Sequence, residues 1–525
     1  MKHPSLSREP SNLINGRWIP IPGDSVRSFN PARPAQAVFS SASSVPHLHD
    51  AVAAARAALP VWSGWTRERR FAVLQRFKAL VSARAQQIAD LICDETGKAM
   101  WDSKGEVSAL TNKVDITLDA TPSGALARVT GVEFAMTPTK QGKSWFRPHG
   151  VMAVLGPFNF PAHLPNGHIV PALALGNTIV LKPSDKAPAT GQLLVELFQE
   201  ALDAEGAPPG VVNLVQGRAD VAAALSAHDG IDGILFTGSW PVGRRIMEAN
   251  LDRPGRILAL EMGGNNAAVI MPDADLKQAL VECVRSGFVT TGQRCTCTRR
   301  VIIHESIASK FIPAFCKAAS NLIVGDPRAS HPVFMGPIIN GPSRDAVFAF
   351  QKSLQRAGAE VLVPSTPIDT PDRGFYLTPG IARVDRFTLG GESDLHAGPS
   401  GGGDAGCDTE VFGPFVRISV VKSLDAAIEQ ANTTRYGLAA SIFTKDHAAA
   451  DRFLAEARAG CINVNTGTAG ASSKLPFGGL GLSGNHRPAG AFSVDYCAYP
   501  VAGMIESGPD APLPTGMAID DKWLA

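Results

Sequence analysis

The chain has 525 residues, 45% of them hydrophobic and 18% charged, with a formal net charge of +1. That length exceeds what one core supports, so at least two lobes are expected. The balanced charge supplies no long-range field for nucleic acid or an anionic membrane surface, and no apolar run approaches the ~18 residues of a membrane span.

Residues 1–17 carry basic groups without an apolar stretch, which argues against a secretory signal and for a cytoplasmic chain. Residues 51–59, 66–95 and 103–120 place apolar side chains at helical spacing. From Val151 the pattern changes to short apolar runs of strand length, at 151–155, 178–181, 211–215 and 233–236. Helical stretches at 190–202 and 221–227 separate them. Strands alternating with helices predict a parallel, doubly wound sheet with ligands at the carboxyl ends of its strands. The alternation resumes after Glu261, with strands at 267–271 and 301–303 and helices at 276–288 and 307–319. That is enough for a second α/β lobe. Residues 390–406, rich in Gly and Ser, read as a surface loop, and 494–504 as a late strand.

Eight cysteines are scattered, only Cys295 and Cys297 lie close together, and no second pair completes a zinc pattern, so no metal is expected. Cys295 stands in Gly292-Gln293-Arg294-Cys295-Thr296. A thiol is a nucleophile only as its anion, so it needs help to lose its proton. Glu261 ends an apolar strand just before Gly263-Gly264, where a partly buried carboxylate can work as a base. Asn159, in Gly156-Pro157-Phe158-Asn159-Phe160-Pro161, is a neutral amide able to donate to an oxyanion. Each residue has a duller reading alone: a packed thiol, an ion-paired glutamate, a turn asparagine. Together, in this order, they predict oxidation of an aldehyde through a covalent thioester.

Phe236-Thr237-Gly238-Ser239, continuing to Gly243, is a strand-to-helix junction suited to a phosphate, though looser than the Gly-x-Gly-x-x-Gly fingerprint. Lys182, Ser184 and Asp185 end another strand unit and suit a ribose. A carboxylate there would repel a 2′-phosphate, which favours NAD over NADP while leaving NADP open. Glu410 and Phe412 could bind a second ribose and flank a nicotinamide ring.

These segments together resemble the aldehyde dehydrogenase superfamily from about residue 14 to 501. The resemblance implies Cys295 as nucleophile, Glu261 as general base and Asn159 as oxyanion donor. It also implies Lys182 and Glu410 at the two riboses, Gly238 and Ser239 at the pyrophosphate, and Phe412 at the ring. The fold implied is two doubly wound α/β lobes with a small oligomerisation β-arm, in a homodimer or homotetramer. The expected division is 1–122 with 148–260 for the dinucleotide, 261–465 for catalysis, 123–147 with 490–505 for the arm, and 506–525 as a tail. Asp185 departs from the commoner glutamate, and Asn265 from a common lysine.

A narrower likeness, to the N-succinylglutamate 5-semialdehyde branch that serves arginine breakdown, is carried by 159–168, 263–266, 294–297 and 483–488. Such a substrate bears two carboxylates, so Arg294 and Arg487 are the expected anion receptors, with His163, Asn166 and His168 lining the approach. Another semialdehyde oxidiser, on succinic or glutamic semialdehyde, is the nearest alternative. Transfer of the thioester to coenzyme A, a cysteine–histidine hydrolase and a non-catalytic binding relative are further ones. Cys297, two positions from the nucleophile, is a candidate redox partner whose duller reading is a packed thiol.

Overall fold

The computed structural model describes residues 3–389, 408–508 and 513–524; the Gly/Ser-rich stretch 390–406 lies outside them. Two seven-stranded sheets organise the chain. In the first, Ile257–Glu261, Gly233–Thr237, Val151–Leu155, Thr178–Lys182 and Val212–Leu214 run parallel in that spatial order. The hairpin of Ser11–Ile14 and Arg17–Pro20 adds an antiparallel edge. Every residue of Val151–Leu155 and Thr178–Lys182 is buried, as expected for strands covered by helices on both faces. Strand order reverses between Val151–Leu155 and Gly233–Thr237, so a crevice opens where their carboxyl ends diverge.

The second sheet places Asn266–Ile270 and Thr298–His304 at its centre, flanked by Phe415–Val421 and Ala439–Phe443. Its strand Asn266–Ile270 begins a few residues after the first sheet ends at Glu261, so Met262–Asn265 bridges the two. A third, antiparallel sheet joins Ala498–Glu506, Lys140–Pro148 and Glu133–Ala135, and leaves Phe134, Met136, Met504 and Ile505 exposed.

Two local expectations need correction, and one helix was not expected. Residues 66–95 form two helices, Arg67–Ala83 and Ala85–Thr96, because Arg84 leaves helical geometry at φ −111°, ψ 21°. The late strand starts at Ala498, since Ala491–Val494 is a 3₁₀ turn. The helix His163–Ala174 carries two prolines and a glycine and gave no periodic signal. Pro165 falls in its first turn, where no donor is required, and burial on nearly every side supplies what propensity lacks.

Candidate active site

The crevice between the two sheets is a cleft of about 590 Å³. Lining it are Asn159, Lys182, Ser184, Asp185, Phe236, Gly238, Ser239, Cys295, Glu410 and Phe412. Ten of the expected residues, drawn from five separate chain segments, thus share one surface. Gly243 sits one turn further along the helix Trp240–Glu248, where a Cβ would come 2.3 Å from Met262 Sδ, so it permits close packing rather than lining the cleft.

The cleft suits a dinucleotide. The helix Trp240–Glu248 starts on it at Ser239 with no acidic residue in its first turn, leaving its N-terminal dipole free for an anion. Lys182 is buried, and burial lowers its ammonium to about 8 despite Asp185 and Asp220 nearby. A hydroxyl-rich partner would satisfy it better than the Pro183 carbonyl it now holds at 2.9 Å. Glu410 folds across the cleft onto the Gly264 N–H at 3.1 Å, and a Cβ at Gly263 would strike its carboxylate. Burial lifts Glu410 to about 7, although the Arg299 guanidinium and the Gly264 N–H pull the other way.

Cys295 hangs from a tightly wound turn. Thr290, Thr291 and Gly292 all adopt left-handed backbone, at φ 54°, 55° and 69°. For β-branched threonines that conformation is strained and persists only where surroundings enforce it. A side chain at Gly292 would meet the Gly413 carbonyl at 2.1 Å, so only glycine fits. Arg299, almost fully buried, donates to the carbonyls of Gly292 (2.6 Å), Arg294 (3.1 Å) and Gly413 (2.9 Å). From the other side Asn266 Nδ2 donates to the carbonyls of Cys295 (2.7 Å) and Cys297 (2.8 Å). The sulfur therefore sits on backbone fixed at both ends.

Asn159 is buried and donates through Nδ2 to the Gln293 carbonyl at 2.9 Å, two residues before the thiol. This contact brings the amide to the turn that carries Cys295 across 134 positions of sequence. Glu261 closes the first sheet: its carbonyl accepts from Gly238 N–H at 3.0 Å, and its backbone bridges to Gly484. Its side chain is buried and is not among the residues lining the cleft, with Oε2 lacking any hydrogen-bond partner. Burial raises its pKa well above the usual carboxylate range, the Ala489 N–H only partly offsetting this. Burial likewise raises the Cys295 thiol, with Glu410 and then Glu261 adding to the effect.

The expected substrate residues fare differently. Arg487 is exposed and lies in a separate depression with His149, Arg256 and Asn485, beside the amino end of Ile257–Glu261, so it does not meet Cys295. The segment 483–488 is instead stitched along that strand, Asn485 bonding Leu260 N–H and the Leu258 carbonyl. His168 is buried against Tyr496 and Thr237, and burial drops its pKa to about 3. Asn166 is fully buried, donating to the Leu110 carbonyl. Both are interior groups, lying on the buried side of the helix His163–Ala174. His163 is half-buried beside Phe160, and burial lowers it to about 4. Arg294 is already committed to Asp102 at 2.7 Å and to Thr290. Cys297 is buried with Val289 and Ala469, its sulfur toward the Val289 carbonyl.

Arg299, Arg300 and Asn266 were not anticipated as parts of the site. The signal for the arginines is their position: two adjacent cations in the strand Thr298–His304, six of whose seven residues are buried. Among the described residues no cluster of His, Cys, Asp or Glu could hold a metal ion, and no helix is long and apolar enough to cross a membrane.

This arrangement defines a nucleotide-dependent oxidoreductase with a cysteine at its centre, and the chain belongs to the aldehyde dehydrogenase family, whose pattern matches residues 18–388 and 403–500. Within that family it is 43% identical over 493 residues to N-succinylglutamate 5-semialdehyde dehydrogenase 2 of Caulobacter vibrioides, covering 93% of this chain and 95% of that one. Its fold is similar to 1-pyrroline-5-carboxylate dehydrogenase from Thermus with bound NAD, with TM-score 0.85 and 26% identity over 95% of this chain and 93% of that one. It is similar, too, to the NADP-dependent glyceraldehyde-3-phosphate dehydrogenase of Bacillus halodurans complexed with NADP, with TM-score 0.83 and 27% identity over 96% of this chain and 100% of that one. The chain is thus an aldehyde dehydrogenase that takes a nicotinamide cofactor.

Proposed function

We propose that the protein oxidises N-succinyl-L-glutamate 5-semialdehyde to N-succinyl-L-glutamate with NAD, as a step in arginine catabolism in the cytoplasm. The observation that carries the chemistry is the Asn159–Gln293 contact, which holds a neutral donor against the turn of a thiol opening on the cleft. The substrate reading is supported by the name and 43% identity of the Caulobacter relative.

Lys182, Ser184 and Asp185 would hold the adenosine ribose, Ser239 and its helix the pyrophosphate, and Glu410 with Phe412 the nicotinamide end. The nicotinamide supplies an acceptor for the hydride leaving the aldehyde carbon. Cys295 forms the bond to that carbon, its proton passing to water or to Glu261 once the latter is ionised. The second Asn159 N–H and the Cys295 backbone N–H face the oxygen that becomes negative, worth about 3–4 kcal/mol per donor. The resulting thioester is cleaved by water, from which Glu261 takes a proton. Asp185 at the ribose end supports NAD over NADP. The exposed apolar edge of the third sheet supports a homodimer or homotetramer through strand addition, with 123–147 and 490–505 as its arm.

The test is an assay of purified protein with the succinylated semialdehyde, succinic semialdehyde and glutamic semialdehyde, each with NAD or NADP, read as absorbance of reduced nicotinamide. A higher kcat/KM on either unsuccinylated aldehyde sinks the substrate assignment. A requirement for added coenzyme A sinks hydrolysis by Glu261.

A further inference from the structure

Two acidic residues one helical turn apart on Met100–Leu118 reach different halves of the site. Asp102 accepts from Arg294 Nη2 at 2.7 Å and from Thr290 Oγ1 at 2.6 Å, while Thr290 Oγ1 accepts from Arg294 Nε at 2.7 Å. These three side chains close a ring on the turn that presents Cys295. Glu106 accepts from the backbone N–H groups of Ala162 and His163, both at 3.0 Å, just after Asn159. Its other oxygen takes Lys98 Nζ at 2.6 Å, with both side chains at most 1% exposed. Phe160 lies between the two prongs, with Lys98 Nζ 3.7 Å and Arg294 Cζ 4.9 Å from its ring centre.

Buried ion pairs are poor sources of stability, because desolvating the charges offsets most of their attraction. What they supply here is geometry. Residues four apart on a helix are neighbours on one rigid face, so both loops hang from a single turn of helix. The left-handed Thr290 and Thr291 need such a hold: Asp102 engages one hydroxyl and the Gly336 carbonyl accepts the other at 2.9 Å.

We infer that Asp102 and Glu106 are positioning residues that set the Cys295 turn at a fixed spacing from Asn159. The inference rests on Cys295 as nucleophile and Asn159 as oxyanion donor. It is tested on the full chain with Asp102→Asn, Asn159→Ala and the double variant, measuring kcat, KM for aldehyde and nucleotide, and melting temperature. Asp102→Asn should lower kcat roughly 10- to 100-fold, the scale of a small misplacement of reacting groups, with KM for the nucleotide within about twofold. Asn159→Ala should then cost much less in the Asp102→Asn background than alone, because a displaced donor has less to lose. The same cycle with Glu106→Gln reads the second prong. Should Asp102→Asn fail to fold, Thr290→Val removes only the hydroxyl that Asp102 and Arg294 share. Losses that multiply to within about twofold overturn the positioning role. A Cys295→Ala control keeps the two ideas apart: turnover retained there overturns the nucleophile, whereas multiplying losses beside an inactive Cys295→Ala overturn the positioning role alone.

Discussion

The two sides of the cleft are built by opposite means. On the first sheet's side, small residues leave room: Gly238, Ser239 and the start of Trp240–Glu248 border an open space, the Gly238 N–H being held by the Glu261 carbonyl. On the second sheet's side, side chains tie the backbone down, with Arg299 holding three carbonyls and Asn266 two. Arg300 extends this, donating to the carbonyls of Asn265, Gln430 and Ala431 within the same layer. A surface that must admit and release a long ligand gains from vacancy. A nucleophile that must meet a carbon at one angle gains from restraint, and the strained Thr290–Gly292 backbone shows how much is needed.

If this contrast holds, damage on the restrained side should appear in kcat and damage on the open side in KM. Cys295→Ala, the most severe change, should leave no nicotinamide reduction above background in a protein whose melting temperature is unaltered. Asn159→Ala, which cuts the contact from the first sheet's loop to the restrained turn, should lower kcat about 10²- to 10³-fold at little cost in KM for the nucleotide. Arg299→Met strands buried carbonyls and should cost on the order of 2–5 kcal/mol in denaturant unfolding, with kcat falling in step; an unchanged midpoint would remove Arg299 from the restraint. On the open side, Ser239→Asp places a negative charge at the helix start, and KM for the nucleotide should rise about five- to tenfold at nearly constant kcat.

The smallest effect concerns pH. Glu410 titrates near 7 in the folded chain, above its unfolded value. Between about pH 4.5 and 7 the folded state holds a proton that the unfolded state has lost, so stability falls as pH rises through that window. Glu410→Gln removes this slope, and its melting temperature should drop less from pH 5 to pH 8 than that of the unaltered chain.

The expected substrate residues show where reading ran short. Arg487 was grouped with Cys295 on motif likeness, yet its segment edges the strand Ile257–Glu261 and turns the guanidinium to another face. His168 and Asn166 sit on a helix whose prolines erased the periodicity that would have shown them facing inward. Asp102 and Glu106 gave no signal, since charged residues in a helix ordinarily face water, and neither did Lys98 in the connector just before that helix.

From residues alone came the alternation that makes parallel sheets, the turn chemistry at strand ends, and Cys295, Glu261 and Asn159 as candidates. These are local: a strand's pattern and a Gly-rich junction hold whatever lies across the cleft. Which side chains meet across 134 positions, as Asn159 and Gln293 do, was decided by tertiary packing. So were the buried ionic pairs beneath them, because a charge leaves water only when folding brings it a partner.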